Sequence, residues 1–334
     1  MKKIARFIAV GSALVVLGSM SVFASGGKET SGGKVKIGLS MDSLESQFWV
    51  ANYDAMVAKA KAMDIELVSV MAEGDAAKQN QQIENLIAQK VTAIIIAPKD
   101  GSAIVAAVKK AQAAGIPVIM NNRPIQGTVQ PELSVLSDNY TMAKEVLKWF
   151  AEKAKKDGKK YKTILLIGNL ADENAVERQK GHKEIIAAYK DIFEVVSEIP
   201  SEWNHEVALK GLQNALQANP DVNLIITPSD FLYPPIRSAL EQVNRWVKIG
   251  HPNHIAIVSF DGDEGGMQYL KDGYSWADAA QGASFTGEYC IDWAVKLSKG
   301  EKPANPTYRD PGIIVTMDNF NEVAPKVWSF SSLK

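Results

Sequence analysis

Planar polar side chains and aromatic rings occur together in short segments that each follow an apolar run of the sequence. Two such segments are Asp42 with Phe48 and Trp49, and Asn122 with Arg123. A carboxylate, an amide or a guanidinium can hold two neighbouring hydroxyl groups, and an aromatic ring can pack against the C–H face of a sugar. We therefore expect these segments to bind a small polyhydroxylated molecule.

The same mixture returns in the second half of the chain. The candidate ligand-binding residues there are Asn174, Arg178, Trp203, Ser229, Asp230, Asp261 and Gln281. Arg123 and Arg178 belong to different halves, so each is expected to hold the ligand from its own side of an open, wet cleft. Structural alternatives exist, because an arginine can form a surface ion pair, Asp261 can cap the next helix, and aromatic rings can belong to the core.

Signatures of catalysis and of cofactor binding are absent from the sequence. It contains neither a Gly-x-Ser-x-Gly elbow nor a Gly-x-x-x-x-Gly-Lys-Ser/Thr loop, and the glycine-rich segment 262–266 lacks the dinucleotide spacing. The four histidines are dispersed, and the single cysteine, Cys290, cannot form an intramolecular disulfide or complete a metal site. We expect no catalytic residue, no cofactor and no metal.

The elements that must position the candidate residues are apolar runs that alternate with segments of helical periodicity. Near-continuous apolar strands indicate parallel sheets covered on both faces. The strands fall into two series, one near residues 35–40, 65–71, 92–97 and 116–120, the other near 163–168, 194–199, 222–227 and 255–260. The sequence therefore predicts an α/β protein of two similar Rossmann-like domains, with ligands beyond the carboxyl ends of the strands.

The overall composition is that of an ordinary globular protein of about two domains. The 334 residues are 46% hydrophobic and 22% charged, which argues against a disordered chain or a multi-span membrane protein. Because 37 Lys and Arg stand against 38 Asp and Glu, no global positive field attracts nucleic acid. We expect no nucleic-acid partner.

The first 33 residues have the pattern of an export signal followed by a linker. Basic residues precede an apolar stretch over residues 7–23, and cleavage is predicted after Ala24, so residues 1–24 form a signal peptide. A retained membrane anchor is the alternative, but the stretch is shorter than the ~20 residues of a span. Residues 25–33 are rich in Gly and Ser, which is typical of a flexible linker. The mature protein is expected to be periplasmic or otherwise extracytoplasmic, and not membrane-embedded.

Several short motifs follow one another in order between residues 34 and 310. They are Ile37-Gly38-Leu39-Ser40 leading to Phe48-Trp49, the helix segment Gln82-Ile83-Glu84-Asn85-Leu86-Ile87, Gly115-Ile116-Pro117-Val118 running to Asn122-Arg123, Arg178-Gln179-Lys180-Gly181, Phe260-Asp261-Gly262 and Ala280-Gln281. In this order and spacing they resemble the type I periplasmic sugar-binding proteins of ABC transporters, the group of the ribose-, galactose- and xylose-binding proteins. The resemblance implies ligand contacts at Phe48, Trp49, Asn122, Arg123, Arg178, Trp203, Ser229, Asp261 and Gln281.

The resemblance also implies two lobes that close on a monosaccharide or related polyol and deliver it to an ABC transporter permease. We expect an N-terminal lobe of residues 34–138 and 282–310, a C-terminal lobe of residues 139–281 and 311–334, and a three-segment hinge near Asp138, Gln281 and Asp310. The protein is expected to be a monomer. A sugar-acting α/β enzyme, a sugar-responsive repressor and a carrier for a chemoreceptor are alternative functions.

The identity of the sugar stays open, because the chain departs from the family pattern. Asn122 stands where the family commonly has Asp, and Ser229-Asp230 stands where it commonly has Asn-Asp. Tyr233-Pro234-Pro235 is bulkier than the usual residues there. The first two departures leave the sugar identity open, and the third is expected to reshape one wall of the cleft.

Overall fold

The computed structural model describes residues 35–333, so the predicted signal peptide and linker lie outside the described residues. The strands are β1 (Lys36–Met41), β2 (Glu66–Met71), β3 (Ala93–Ile96), β4 (Val118–Asn122), β5 (Leu133–Ser137), β6 (Tyr161–Ile167), β7 (Phe193–Pro200), β8 (Leu224–Ile226), β9 (Ala256–Asp261), β10 (Ala277–Ala280), β11 (Thr307–Asp310) and β12 (Ile313–Thr316). The α-helices are α1 (Gln47–Ala62), α2 (Ala76–Ala88), α3 (Val105–Ala113), α4 (Asn139–Lys156), α5 (Glu173–Ala188), α6 (His205–Ala218), α7 (Tyr233–Gln242), α8 (Glu264–Lys271), α9 (Ala283–Ser298) and α10 (Phe320–Val323).

The strands form two six-stranded sheets. The first has the order β11-β5-β4-β3-β1-β2 and is parallel throughout. The second has the order β12-β10-β9-β8-β6-β7 and is parallel except for the edge strand β12, which runs antiparallel to β10. The predicted fold class is confirmed.

Each sheet is buried on both faces, as its continuous apolar strands require. In β3, Ile95 packs into a core cluster with residues of α1 and α9, whereas Ile94 and Ile96 pack into a cluster with residues of α2 and α3. Successive side chains of a strand point to opposite faces, so both layers of helices contact the same short strand. This covering leaves the strand ends as the places where polar side chains can gather.

The chain passes between the two sheets three times. The passages follow β5, β10 and β11, and we call the elements around the first and second sheets the N-lobe and the C-lobe. At the passages Asp138 N donates to Asp310 O at 2.8 Å, and Gly282 N donates to Asp310 Oδ2 at 2.7 Å. The three segments therefore lie side by side, while the expected lobe boundaries and hinge motion stay predictions.

The one cysteine lies in the core of the N-lobe. Cys290 on α9 is fully buried, and its Sγ is 3.7 Å from Asn121 Oδ1. Burial raises the pKa of the thiol far above its usual value, so it stays protonated. Among residues 35–333, no group of His, Cys, Asp and Glu has the arrangement of a metal site, and no helix has both the length and the apolar character of a membrane span.

Candidate functional site

A cavity of about 150 Å3 lies between the two lobes, at the carboxyl ends of the strands. A cavity of about that volume accepts one benzene molecule, so a single six-membered ring fits. All the predicted ligand-binding residues except Asp230 line it: Asp42, Phe48, Trp49, Asn122, Arg123, Asn174, Arg178, Trp203, Ser229, Asp261 and Gln281. Parallel strands position them, because the loops after their carboxyl ends face the same crevice.

Arg123, just after β4, is held by carboxylates of both lobes. Its Nη1 donates to Asp42 Oδ2 at 2.8 Å within the N-lobe, and its Nε lies 3.0 Å from Asp172 Oδ2 of the C-lobe. Its guanidinium also lies 5.2 Å from the ring centre of Trp49. Burial lowers the pKa of Arg123, but the neighbouring carboxylates of Asp172 and Asp42 raise it by more, so the net shift of the pKa is upward. The Arg123–Asp172 ion pair therefore joins the lobes directly.

Arg178, on α5, is buried at the floor of the cavity with a side chain only 4% exposed. Its Nε donates to Asn139 Oδ1 at 2.7 Å, and its Nη1 donates to Pro228 O at 2.7 Å and to Asp261 Oδ1 at 3.0 Å. The guanidinium carbon lies 3.9 Å from the ring centre of Phe260. The expectation that Arg178 stands in an open, wet cleft is wrong, because these partners enclose it on all but its Nη2 side.

The aromatic rings come from a helix start and from a turn. Ser46 caps α1 by accepting from Trp49 N at 3.3 Å, and the Phe48 and Trp49 rings pack edge to face with centres 5.1 Å apart. Trp203 has a left-handed backbone with φ of 52°, and its Nε1 donates to Asp172 Oδ2 at 3.1 Å. All three rings border the cavity, where apolar faces are available for stacking.

Asp230, also a predicted ligand contact, does not line the cavity, and its carboxylate bonds to other parts of the C-lobe. Ser259 Oγ and Asp263 N donate to Asp230, the latter at 2.8 Å, and Asp278 is its hydrogen-bonded carboxyl neighbour. A Cβ on Gly266 would lie 2.3 Å from this carboxylate, so the first turn of α8 closes over it. The adjacent Ser229 does line the cavity, and its Oγ donates to Asp261 Oδ2.

Four buried carboxyl groups lie close together beneath the C-lobe side of the cavity: Asp230, Asp261, Asp263 and Asp278. Burial raises the pKa of each, that of Asp278 to about 7, and repulsion from neighbouring carboxylates raises those of Asp230, Asp263 and Asp278 further. Arg178 counteracts the rise at Asp261 and Asp263. The Asp263 carboxylate also accepts a hydrogen bond from the Phe48 backbone at the start of α1, a further contact between the lobes.

A family model for the periplasmic binding protein domain matches residues 37–302. The chain belongs to this family. It is 31% identical over 267 residues to the ribose import binding protein of Bacillus subtilis, which covers 80% of this chain and 82% of the relative. It is 26% identical over 306 residues to the D-apiose import binding protein of Paraburkholderia graminis, which covers 92% of each.

Solved structures that resemble this chain are also solute-binding proteins of ABC transporters. An ABC transporter solute-binding protein from Actinobacillus succinogenes with bound D-allose matches with a TM-score of 0.79 and 25% identity, over 86% of this chain and 99% of that chain. One from Bacillus halodurans with bound myo-inositol matches with a TM-score of 0.78 and 26% identity, over 88% and 98%. The protein is thus a periplasmic solute-binding protein of the ABC transporter type, not an enzyme, and the predicted family and location are confirmed.

Some residues around the cavity of this periplasmic binding protein were not among the predicted ligand-binding residues. They are Ser43, Glu45, Ser46, Gly74, Lys99, Asp172, Glu202 and Phe231. Lys99 could have been found, because only two residues separate it from the end of β3. The other candidates likewise lie close to the ends of their strands. Asp172 resembles an ordinary helix cap, since it accepts from Asn174 N at 3.0 Å, and its contact with Arg123 depends on the other lobe.

Proposed function

We propose that the two lobes enclose one neutral monosaccharide or related polyol, and that the closed protein hands it to the permease of an ABC transporter. The observation that carries this proposal is the composition of the cavity, where four aromatic rings and forked polar groups of both lobes surround a space for one ring. The relatives named for ribose and D-apiose, and the solved structures with D-allose and myo-inositol, support the same ligand class.

The charges around the cavity favour a neutral ligand over a sugar phosphate or a uronate. The carboxylates Asp42, Glu45, Asp172, Glu202 and Asp261 outnumber the cations Lys99, Arg123 and Arg178. Arg123 is already paired with two carboxylates, and Arg178 with one. An anionic ligand would therefore meet a surplus of negative charge, and binding one would require breaking an existing ion pair.

Two groups are available for ligand hydroxyls on opposite sides of the cavity. Asp42 Oδ1 is buried and has no hydrogen-bond partner within residues 35–333, so it can accept from a hydroxyl. Arg178 has its Nε and Nη1 occupied, which leaves the two N–H groups of Nη2 as donors. One acceptor from the N-lobe and a forked donor from the C-lobe would both reach the ligand only when the lobes are closed. Ligand binding would thus favour closure of a monomer.

A thermal-shift screen followed by titration calorimetry tests this proposal. Small molecules that co-purify are first released and identified by mass spectrometry, and the refolded protein is then screened against D-ribose, D-allose, xylitol and myo-inositol. D-Glucuronate and ribose 5-phosphate serve as anionic counterparts. A ligand that binds only the folded state at 100 times its Kd stabilises it by about 2.7 kcal/mol, which raises the unfolding midpoint.

Two variants localise the binding. Asp42→Asn, which changes the cavity carboxylate, is expected to weaken 1:1 binding by about tenfold, because the hydrogen bond from the ligand loses its charged acceptor. Asp54→Asn, on the exposed side of α1, is the matched control and should bind as the wild type does. A folded protein that responds to no neutral sugar or polyol, or that prefers the anionic compounds, would contradict the proposal.

A further inference from the structure

Six buried polar side chains form a closed ring of hydrogen bonds at the floor of the cavity. We call this set the amide ring, and its members are Asn122, Asn139, Asn174, Arg178, Asp261 and Gln281. Each is 5% exposed or less. Polar groups buried to this extent are costly unless every one of them is paired, so their connections define the function of the set.

The first half of the amide ring runs from the arginine to the N-lobe. Arg178 Nε donates to Asn139 Oδ1 at 2.7 Å, and Asn139 Nδ2 donates to Asn174 Oδ1 at 3.0 Å. Asn174 Nδ2 then donates to Asn122 Oδ1 at 2.7 Å. Each amide therefore accepts from the preceding residue and donates to the next.

The second half returns from the N-lobe to the carboxylate. Asn122 Nδ2 donates to Gln281 Oε1 at 3.1 Å, and Gln281 Nε2 donates to Asp261 Oδ1 at 2.6 Å. Arg178 Nη1 donates to the same Asp261 oxygen at 3.0 Å and closes the ring. The charged pair thus supplies both the first donor and the last acceptor.

This arrangement fixes the orientation of all four amides. A guanidinium can only donate and a carboxylate can only accept, so each amide between them has one possible orientation. If any one amide were reversed, two donors or two acceptors would face each other in a buried site. Arg178 is consequently held in place by a chain of neutral groups as well as by its ion pair with Asp261.

The amide ring also connects the lobes without any ligand atom. Asn122 ends β4 in the N-lobe, whereas Asn174 and Arg178 lie on α5 in the C-lobe. Asn139 and Gln281 stand where the chain passes between the sheets. Opening the lobes would therefore break the bond from Asn174 to Asn122 and free one end of the chain that orients Arg178.

We propose that Asn174 and Asn139 are positioning residues that couple lobe closure to the orientation of Arg178. The part that concerns the ligand rests on the proposed function above. The Asn174–Asn122 bond stabilises the closed form before a ligand arrives, so the ligand-free protein populates that form. Neither asparagine needs to contact the ligand for its loss to weaken binding.

The decisive variant is Asn174→Asp, which keeps the acceptor for Asn139 and removes the donor to Asn122. We expect a larger radius of gyration for the ligand-free variant by small-angle scattering, and about tenfold weaker sugar binding by calorimetry, as for loss of a buried hydrogen bond. Asn139→Asp keeps the acceptor for Arg178 and removes the donor to Asn174, and should give a smaller loss in the same direction. Asn174→Ala repeats the test without adding a charge.

The matched control is Asn121→Asp, at the neighbouring position of β4. Asn121 is fully buried, and its Nδ2 donates to Asn52 Oδ1 within the N-lobe at 2.7 Å. This control should lower the unfolding midpoint while leaving the ligand-free radius of gyration and the affinity unchanged. Wild-type affinity or a wild-type radius of gyration in Asn174→Asp, or an equal loss of affinity in the control, would overturn the coupling. Scattering from the ligand-free variants gives its result even if no sugar binds, so this test can fail separately from the proposed function.

Discussion

Arg123 and Arg178 line the same cavity from opposite lobes, yet the protein holds them by different means. Arg123 is 15% exposed and lies between two carboxylates, one from each lobe. Arg178 is 4% exposed and has one carboxylate, one backbone carbonyl and the amide chain as partners. The first is a charged contact near the entrance, and the second is part of the floor.

The difference shows that one residue type can perform two tasks in a single site. Arg123 has carboxylate partners in both lobes, and its ion pair with Asp172 crosses between them, which suits a contact that forms when the lobes close. The buried guanidinium of Arg178 has Nε and Nη1 held by fixed partners, which suits a group whose Nη2 is already positioned for the ligand. The expected consequences differ most in the stability of the ligand-free protein.

The largest expected effect is that of Arg178→Ala. Removing the cation leaves Asp261 buried without its partner, and breaking a buried ion pair costs about 3–5 kcal/mol. We expect the free energy of unfolding to fall by this amount and sugar binding to be lost. Urea unfolding measures the first and calorimetry the second. A destabilisation no greater than that of Arg123→Ala would contradict the distinction between floor and entrance.

The next effect is a pH dependence of the free energy of unfolding, and we expect it from the buried carboxyl groups beneath the cavity rather than from Arg123 and its partners. Folded Asp278 keeps its proton up to about pH 7, whereas an unfolded aspartate loses it near pH ~4. Between these values the unfolded state binds fewer protons, so this group lowers the free energy of unfolding by up to ~1.4 kcal/mol for each unit of rising pH.

Asp278→Asn tests the pH effect, because it imitates the protonated group. His182, whose pKa burial lowers to about 3, gives the opposite slope below pH ~6.5, so the measured quantity is the difference between wild type and variant. The variant should gain stability relative to wild type between pH 5 and pH 7 in urea unfolding. A difference that stays constant with pH would show that Asp278 is ionised in the folded protein.

A third prediction probes the entrance through Trp203. A Cβ on Gly168 would lie 2.2 Å from the indole ring, so Gly168→Ala must displace the ring from Asp172. We expect a changed tryptophan emission and a destabilisation of about 1–3 kcal/mol from overpacking. Gly265→Ala on α8, where a Cβ meets no atom within 4 Å, is the control. Unchanged emission in Gly168→Ala would mean that Trp203 tolerates the added group without moving.

The smallest expected effect is that of Arg123→Lys. The ammonium keeps a positive charge beside Asp42 and Asp172, so neither carboxylate loses its cationic partner, and the free energy of unfolding should fall by less than in Arg178→Ala. Binding should nevertheless weaken, because an ammonium cannot reproduce the forked contacts with Asp42 and Asp172 at once. Chemical unfolding alongside calorimetry at low and high salt measures both. A loss of stability as large as that of Arg178→Ala would remove the contrast between the two arginines.

Sequence reasoning found the strands whose apolar runs leave no alternative, such as β3 with Ile94, Ile95 and Ile96. It did not find β10, because Ala277–Ala280 contains no β-branched residue and becomes a strand only through pairing with β9 and β12. The short strands β5, β11 and β12, of four or five residues each, were also missed, although every residue of β12 is β-branched. Pairing between distant segments, which local propensity does not record, decided these elements.

The same limit applied to the site. Position after a strand was enough to find most residues around the cavity, since the carboxyl ends of parallel strands face one crevice. It could not show that Asp230 turns toward Asp278, or that Asn139 accepts from Arg178, because these partners are 48 and 39 residues apart. Direction and burial of a side chain depend on contacts that only the folded chain brings together.

The buried position of Cys290 makes distance measurements by fluorescence straightforward. Its thiol is fully enclosed and remains protonated, so maleimide reagents, which react with exposed thiolates, should leave it unmodified in the folded protein. Two cysteines introduced at exposed positions, one on each lobe, would therefore carry a donor and an acceptor dye without first replacing the native residue. Energy transfer between the dyes could then follow opening and closing in single molecules.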